Sequence, residues 1–331
     1  MEKENGFVLF LKGVLVGIGN MIAGISGGTI AFITGIYEKM VYSLANLTKD
    51  FWPNFLYLIK IMLGVLVGLL GCAKVLNILF SHIILEMILL FTGVLLGGIY
   101  NDRWDYVFDK KYKKSTLIIA LIIAFLVIMG MTMFNLYIQK RQISESPEEI
   151  EALHKMRWTN IRFPRLVLVF FFTIIGTTAM IFPGISGSLL FMSVGIYYPV
   201  LNALSDLTHL SNWQNPVFVY DILKLGCALL LGAIVSLLFI SKPINYIFMK
   251  YRRVCLFVIL GFLIASIFSM YILNYRDIVR QFDWWHPILG VLVFMPLGFM
   301  ISLLLNNMKL KEMRRRKKEE RKSQKLLKDE V

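Results

Sequence analysis

Charged side chains are scarce: 17% of the 331 residues, against 57% hydrophobic, with a mean hydropathy of +0.69. That shortage excludes a soluble domain and implies an integral membrane protein. Cysteine is almost missing. Cys72, Cys227 and Cys255 are odd in number, sit in apolar stretches and lack metal-ligand spacing, so they are expected to be core residues. The four histidines, His82, His154, His209 and His286, are scattered, so no metal or other cofactor is expected. No small-residue cleavage site follows the apolar run that begins at Phe7, and this first segment is expected to belong to the mature protein.

Positive charge is present but localised. Of a net +14, much sits in Lys309 to Glu330, with eleven Lys or Arg against five Asp or Glu. A basic tail directly after a spanning helix is the expected cytoplasmic anchor facing anionic headgroups, and nucleic acid is not an expected partner.

The informative stretch is Gly24-Ile25-Ser26-Gly27-Gly28-Thr29, because it returns as Gly184-Ile185-Ser186-Gly187-Ser188. Superposing 24–47 on 184–207 without a gap matches nine residues, including Gly35, Ile36 and Tyr37, which marks an internal duplication. Glycine disfavours helix and serine favours a cap, so each copy predicts a helix that stops, turns and restarts at Ser26 or Ser186. The N–H groups of Gly27, Gly28 and Thr29 would then be unpaired and could meet an anion. Broken backbone at membrane depth is tolerated where it lines a cavity or is buried in protein, and a pair of breaks points to a transporter's binding site. The outlying glycines, such as Gly13 and Gly17, read as helix-packing positions.

In chain order, residues 1–138 form a first membrane unit: a broken hairpin to about Leu47, then spans near Phe55 to Ala73, Ile83 to Ile99 and Leu117 to Tyr137. Residues 139–164 are a polar linker containing Pro147 and several glutamates. Residues 165–306 repeat the plan, with spans at Val217 to Ile240, Val254 to Ile272 and Pro287 to Leu305, and 307–331 form the basic tail. Gly93, Gly97 and Gly98 correspond to Gly261, Ala265 and Ser266. The expected fold is therefore all-α, a polytopic integral membrane protein with an inverted-topology internal repeat. It comprises two broken or re-entrant helix hairpins plus about six full transmembrane helices. Placing the tail inside puts most Lys and Arg on the cytoplasmic side, with both termini there. The linker disagrees, because Lys140, Arg141, Lys155, Arg157, Arg162 and Arg165 fall outside: either its glutamates offset them, or a basic outer surface attracts an anionic ligand, or the topology differs at this segment.

Two lysines lie within spans. Lys60 and Lys224 either snorkel to headgroups, Lys224 pairing with Asp221, or each places a cation beside its break. Glu38 and Asp221 are candidate proton carriers.

At the breaks the chain resembles the bacterial polyprenyl-phosphate transporter family of the PopT type. The matching text is Gly13 to Asn20, Gly24 to Phe32, Gly35 to Glu38, and Pro183-Gly184-Ile185-Ser186-Gly187-Ser188. Ala23 stands where the family motif has proline. The resemblance implies a flippase that returns undecaprenyl phosphate from the outer to the inner leaflet of the bacterial plasma membrane for reuse in cell-envelope polymer synthesis. It implies phosphate binding at Asn20, Gly24, Ser26, Gly27, Gly28, Thr29, Pro183, Gly184, Ser186, Gly187 and Ser188, with one repeat rocking against the other; Lys60 and Lys224 join these as candidate cations from their place in the spans. A channel or transporter for a small anion is the alternative. An undecaprenyl pyrophosphate phosphatase is disfavoured. Gly27 and Gly187 occupy the place of that family's motif arginine, and no Glu-x-x-x-Glu lies in a span, so hydrolysis lacks its reagents.

Overall fold

The structure, a computed structural model, describes residues 5–22, 24–101, 114–144, 163–183, 185, 191, 196, 200, 203 and 213–304. Every regular element among them is helical. α1 (Gly6–Asn20) starts on Asn5, whose side chain accepts the Phe7 N–H at 3.0 Å. Short α2 (Gly27–Ile33) and α3 (Tyr37–Ala45) follow, then α4 (Phe51–His82), α5 (Ile84–Asn101) and α6 (Lys114–Ser144). Next come α7 (Phe163–Ile181) and α8 (Pro216–Val235), which passes through a π-helical turn, Ser236–Ile240, into α9 (Ser241–Lys250). α10 (Arg252–Leu273), α11 (Tyr275–Arg280) and α12 (Trp285–Leu289) complete the set. A second π turn, Gly290–Phe294, carries α12 on as helix to residue 304.

Five helical stretches are long and apolar enough to cross a membrane: Phe51–Cys72, Lys114–Tyr137, Pro216–Lys250, Arg252–Leu273 and Trp285–Leu304. The other crossing expected from the sequence, Ile84–Tyr100, is a shorter apolar helix, as are Gly6–Asn20 and Phe163–Ala179. α4 claims residues 74 to 82, which the hydropathy pattern assigned to a connection. α6 likewise runs past residue 138 into the linker, through Gln139-Lys140-Arg141-Gln142, all good helix formers. Large apolar side chains such as Leu70, Phe239 and Leu292 face outward, as they do where the solvent is lipid. Cys227 is exposed among them rather than in the core, while Cys72 and Cys255 are half-buried. α10 is the central helix: half of its apolar window is buried, against 17–22% in the other four spans.

Glycine contacts fix how the helices run. Phe10 and Gly13 of α1 lie against Gly64 of α4, and Val14 and Gly17 lie against Gly68, so the two helices are parallel. A chain that leaves α1 and enters α4 in the same direction has turned back between them, which makes residues 21–50 the return of a hairpin. In the second half, Gly232 of α8 rests on the Phe170 carbonyl and Thr173 of α7, and Ser236 bonds Thr178 at 3.0 Å, again in parallel. The offsets that align Gly24 with Gly184 and Gly93 with Gly261 carry Phe10 to Phe170 and Gly64 to Gly232, so the same backbone contact occurs twice.

The halves also exchange partners. α5 packs in parallel on the C-terminal helix, with Gly93 on the Met295 carbonyl, Gly298 on the Leu90 carbonyl and Gly97 beside Ser302. α6 packs in parallel on α10, with Gly261 on the Leu121 carbonyl and Thr132 donating to Ser269 at 2.9 Å. Small residues let the backbones approach this closely. By contrast, a Cβ at Gly130 or Gly226 would meet nothing within 4 Å. Gly130→Ala and Gly226→Ala are expected to keep the fold and raise stability by up to about 1 kcal/mol, the helix-propensity gain. Gly298→Ala, forced into the Leu90 carbonyl, is expected to lower it. Thermal unfolding of the three purified variants reads the contrast.

Candidate functional site: a helix break packed against α10

α1 ends where Met21 and Ile22 donate back to Ile18 and Gly19 at 3.1 and 3.3 Å. Gly24 takes φ +96°, a left-handed conformation that costs glycine little, and Ser26 is extended at φ −108°, ψ 151°. Ser26 caps α2: its Oγ accepts the Thr29 N–H at 3.3 Å and lies 3.1 Å from Thr29 Oγ1. This is the cap expected from the sequence. Gly35, at φ +70°, ends α2 and turns the chain into α3.

The break is buried. Every residue of α2 is inside, Thr29 is 0% exposed, and Gly24 is wedged on α10, where a Cβ would stand 2.6 Å from the Met270 nitrogen. The amides are not left open as expected. Gly27 donates to Asn20 Oδ1 at 2.8 Å and Thr29 to the Ser26 carbonyl at 2.9 Å as well as to Ser26 Oγ, so Gly28 alone of the three lacks a partner among the described residues. The reason is energetic, since a buried amide without a partner costs about 1–3 kcal/mol and two side chains stand within reach. α2, only seven residues long, contributes little dipole of its own.

Of the second break, Gly184, Ser186, Gly187 and Ser188 lie outside the described residues. α7 stops at Ile181, Pro183 is in a turn, and Ile185 N–H donates to Phe182 O at 3.4 Å, as Ile25 donates to Ile22 at 3.1 Å in the first copy. Ile196 N–H donates to Phe191 O at 2.9 Å, as Ile36 does to Ala31 at 3.0 Å. These pairs are equivalent under the duplication.

The structure does not bring Lys60 to the break. Because α4 runs parallel to α1, Lys60 stands beside Gly6, at the start of α1, and the break lies beyond its far end. Lys224 pairs with Asp221 at 3.1 Å and lies 3.8 Å over the Tyr220 ring. Glu38 meets Arg252 at 3.0 Å in an exposed ion pair between the hairpin and the start of α10.

Two features escaped the sequence reading. Lys12, 1% exposed, is buried within α1 two turns before Asn20; the i, i+4, i+8 spacing of Lys12, Val16 and Asn20 was the signal that could have found it. Glu86 of α5, 0% exposed, is bonded to His286 of α12, and Trp285 stacks on the imidazole at 3.8 Å. No local pattern joins residues so far apart.

A bundle of apolar helices around an interrupted, buried hairpin defines a multi-pass membrane protein. A family model described as VCA0040-like, undecaprenyl phosphate translocase-like, matches residues 16–284, and the chain belongs to that family. It is similar to the polyprenyl-phosphate transporter of Staphylococcus aureus (strain NCTC 8325 / PS 47), at 26% identity over 302 residues, 90% of this chain and 95% of that one. It is also similar to the polyprenyl-phosphate transporter of Vibrio cholerae serotype O1 (strain ATCC 39315 / El Tor Inaba N16961), at 26% over 272 residues, 78% and 75% of the two chains. No solved structure matches it.

Proposed function

We propose that this protein is a membrane transporter that returns undecaprenyl phosphate from the outer to the inner leaflet of the bacterial plasma membrane. The observation that carries the proposal is the buried break between Asn20 and Gly27, in a chain of this family. The Gly27 amide is held by a side chain that can swing away. A phosphate that displaces Asn20 Oδ1 gains the N–H of Gly27, with that of Gly28 next to it, without uncovering the Gly27 amide at any stage. Buried Lys12 in α1 supplies positive charge on the same side of the helix as Asn20. Gly24 on Met270 is the contact that opens, and the isoprenoid tail remains in lipid throughout. Gly184, Ser186, Gly187 and Ser188 are proposed for the same roles in the second copy on the ground of the sequence repeat alone.

The helix registers support an inverted repeat spanning residues 1–138 and 165–306. Successive spans alternate in direction, and α10 runs with α6 while the C-terminal helix runs with α5. The second half therefore crosses in the reverse sense to the first, and with the basic tail inside, both termini are cytoplasmic. No bond of the phosphate is broken in this scheme.

Leaflet-resolved measurement of undecaprenyl phosphate in proteoliposomes tests the function. The native protein is expected to equilibrate the lipid across the bilayer, without phosphate release, and Ser26→Leu to fall to the protein-free rate while remaining folded. Equal rates with and without native protein would overturn the assignment.

A further inference from the structure

A cavity of about 490 Å³ opens where α6 and α10 end and α11 begins. Its walls are Leu136 and Lys140 of α6, Tyr271, Ile272 and Leu273 of α10, and Tyr275 and Arg276 at the start of α11. Two cationic side chains and two phenols share it with three aliphatic ones. That mixture suits a ligand with an anionic head and an apolar stem, and the volume is in the range of small-molecule sites.

We infer that this cavity is a capture site for a phosphate monoester, through which the headgroup of an outer-leaflet lipid phosphate enters the protein. The inference rests on the transporter reading for its direction. Lys140 and Arg276 supply the charge, Arg276 through a planar guanidinium that can bond two phosphate oxygens at once. Tyr275 supplies a hydroxyl donor, Tyr271 lines the wall with its ring while its hydroxyl donates to Thr92, and Leu136, Ile272 and Leu273 receive the first carbons of the chain.

Position is the second argument. Met270, whose backbone holds Gly24 of the break, immediately precedes Tyr271 in α10, so the cavity and the break lie on two sides of one helix end. That end is tied down at two points: Asn274 Nδ2 donates to the Met270 carbonyl at 2.7 Å, and Tyr271 Oη lies 3.2 Å from Thr92 Oγ1 on α5. α1 reaches the break after 15 residues, about 22 Å from its cytoplasmic start, which places the break toward the outer face beside the cavity. A headgroup held by Lys140 and Arg276 thus bears on the segment that must move for the break to open.

The test uses the full-length protein in lipid nanodiscs, titrated with farnesyl phosphate, with inorganic phosphate and with uncharged farnesol. Lys140→Gln combined with Arg276→Gln is expected to weaken farnesyl phosphate binding at least about tenfold, the order expected for charge-assisted bonds at a partly exposed site, while farnesol binding is unchanged. Gly130→Ala, where the added methyl meets nothing, is the control in the same titration and is expected to keep this binding. Loss of either phosphate ligand in the double variant upholds the site, and the ratio of their affinities tells a lipid headgroup from the free anion. No phosphate binding by the native protein, or equal binding by the double variant, overturns it. Because no translocation is read, a failure of the transport assay leaves this result standing, and the reverse is also true.

Discussion

Gly24→Val is expected to reduce undecaprenyl phosphate translocation to the rate of protein-free vesicles. Two costs meet at this residue. At φ +96° an L side chain is strained, by about 1–3 kcal/mol, and a β-branched one most of all. The new Cβ would also stand 2.6 Å from the Met270 nitrogen and 2.8 Å from its Cα. Neither atom can yield, because Met270 is 0% exposed in the central helix. The hairpin must therefore lift from α10, and the contact proposed to open and close is lost in both states. Gly130→Ala is the matched control, since there the added methyl meets nothing. A Gly24→Val protein that is monodisperse, melts cooperatively and still moves lipid at the native rate would remove this contact from the mechanism.

Glu86→Ala and His286→Ala are each expected to destabilise the protein by about 3–5 kcal/mol, the cost of stranding one member of a buried polar pair. The replacement of both by leucine is expected to restore most of that, because an apolar pair needs no partner. The surroundings sharpen the expectation. Glu86 Oε2 already lacks a partner among the described residues, so Oε1 to His286 Nδ1 is the bond that holds the carboxyl group in place. The pair links the first half to the second. Nearby, Gln281 donates to the Phe80 and Ser81 carbonyls at 3.2 and 2.9 Å and accepts the Ile84 N–H at 3.1 Å, stitching the α4–α5 corner to the other half. Thermal unfolding of Glu86→Leu, His286→Leu and the double leucine variant closes the cycle and measures the coupling. Additive losses would show that the pair does not act as a unit.

What could be read from the sequence was local or periodic. Ser26 as a cap, Gly24 at a turn and the repeated Gly-Ile-Ser-Gly all depend on neighbours within a few residues, and the structure has the cap and the turn of the first copy where the sequence puts them. The open amides were expected wrongly for the same reason. The residue that closes Gly27 is Asn20, seven positions away across the turn, and only the folded backbone brings it there. Lys60 was placed by its depth in a span, whereas its neighbour is set by the register between α1 and α4. The Glu86–His286 pair and the cavity of Lys140, Tyr271 and Arg276 each join distant segments, and periodicity carries no information about which helix ends meet.

The exchanged glycine seams limit how the molecule can move. Since α5 is clasped to the C-terminal helix and α6 to α10, each half holds a helix of the other, and swinging one half as a rigid body would tear both seams open. The four clasped helices are the chassis, and the first hairpin, seated on it through Gly24 and Met270, is the part proposed to travel against it.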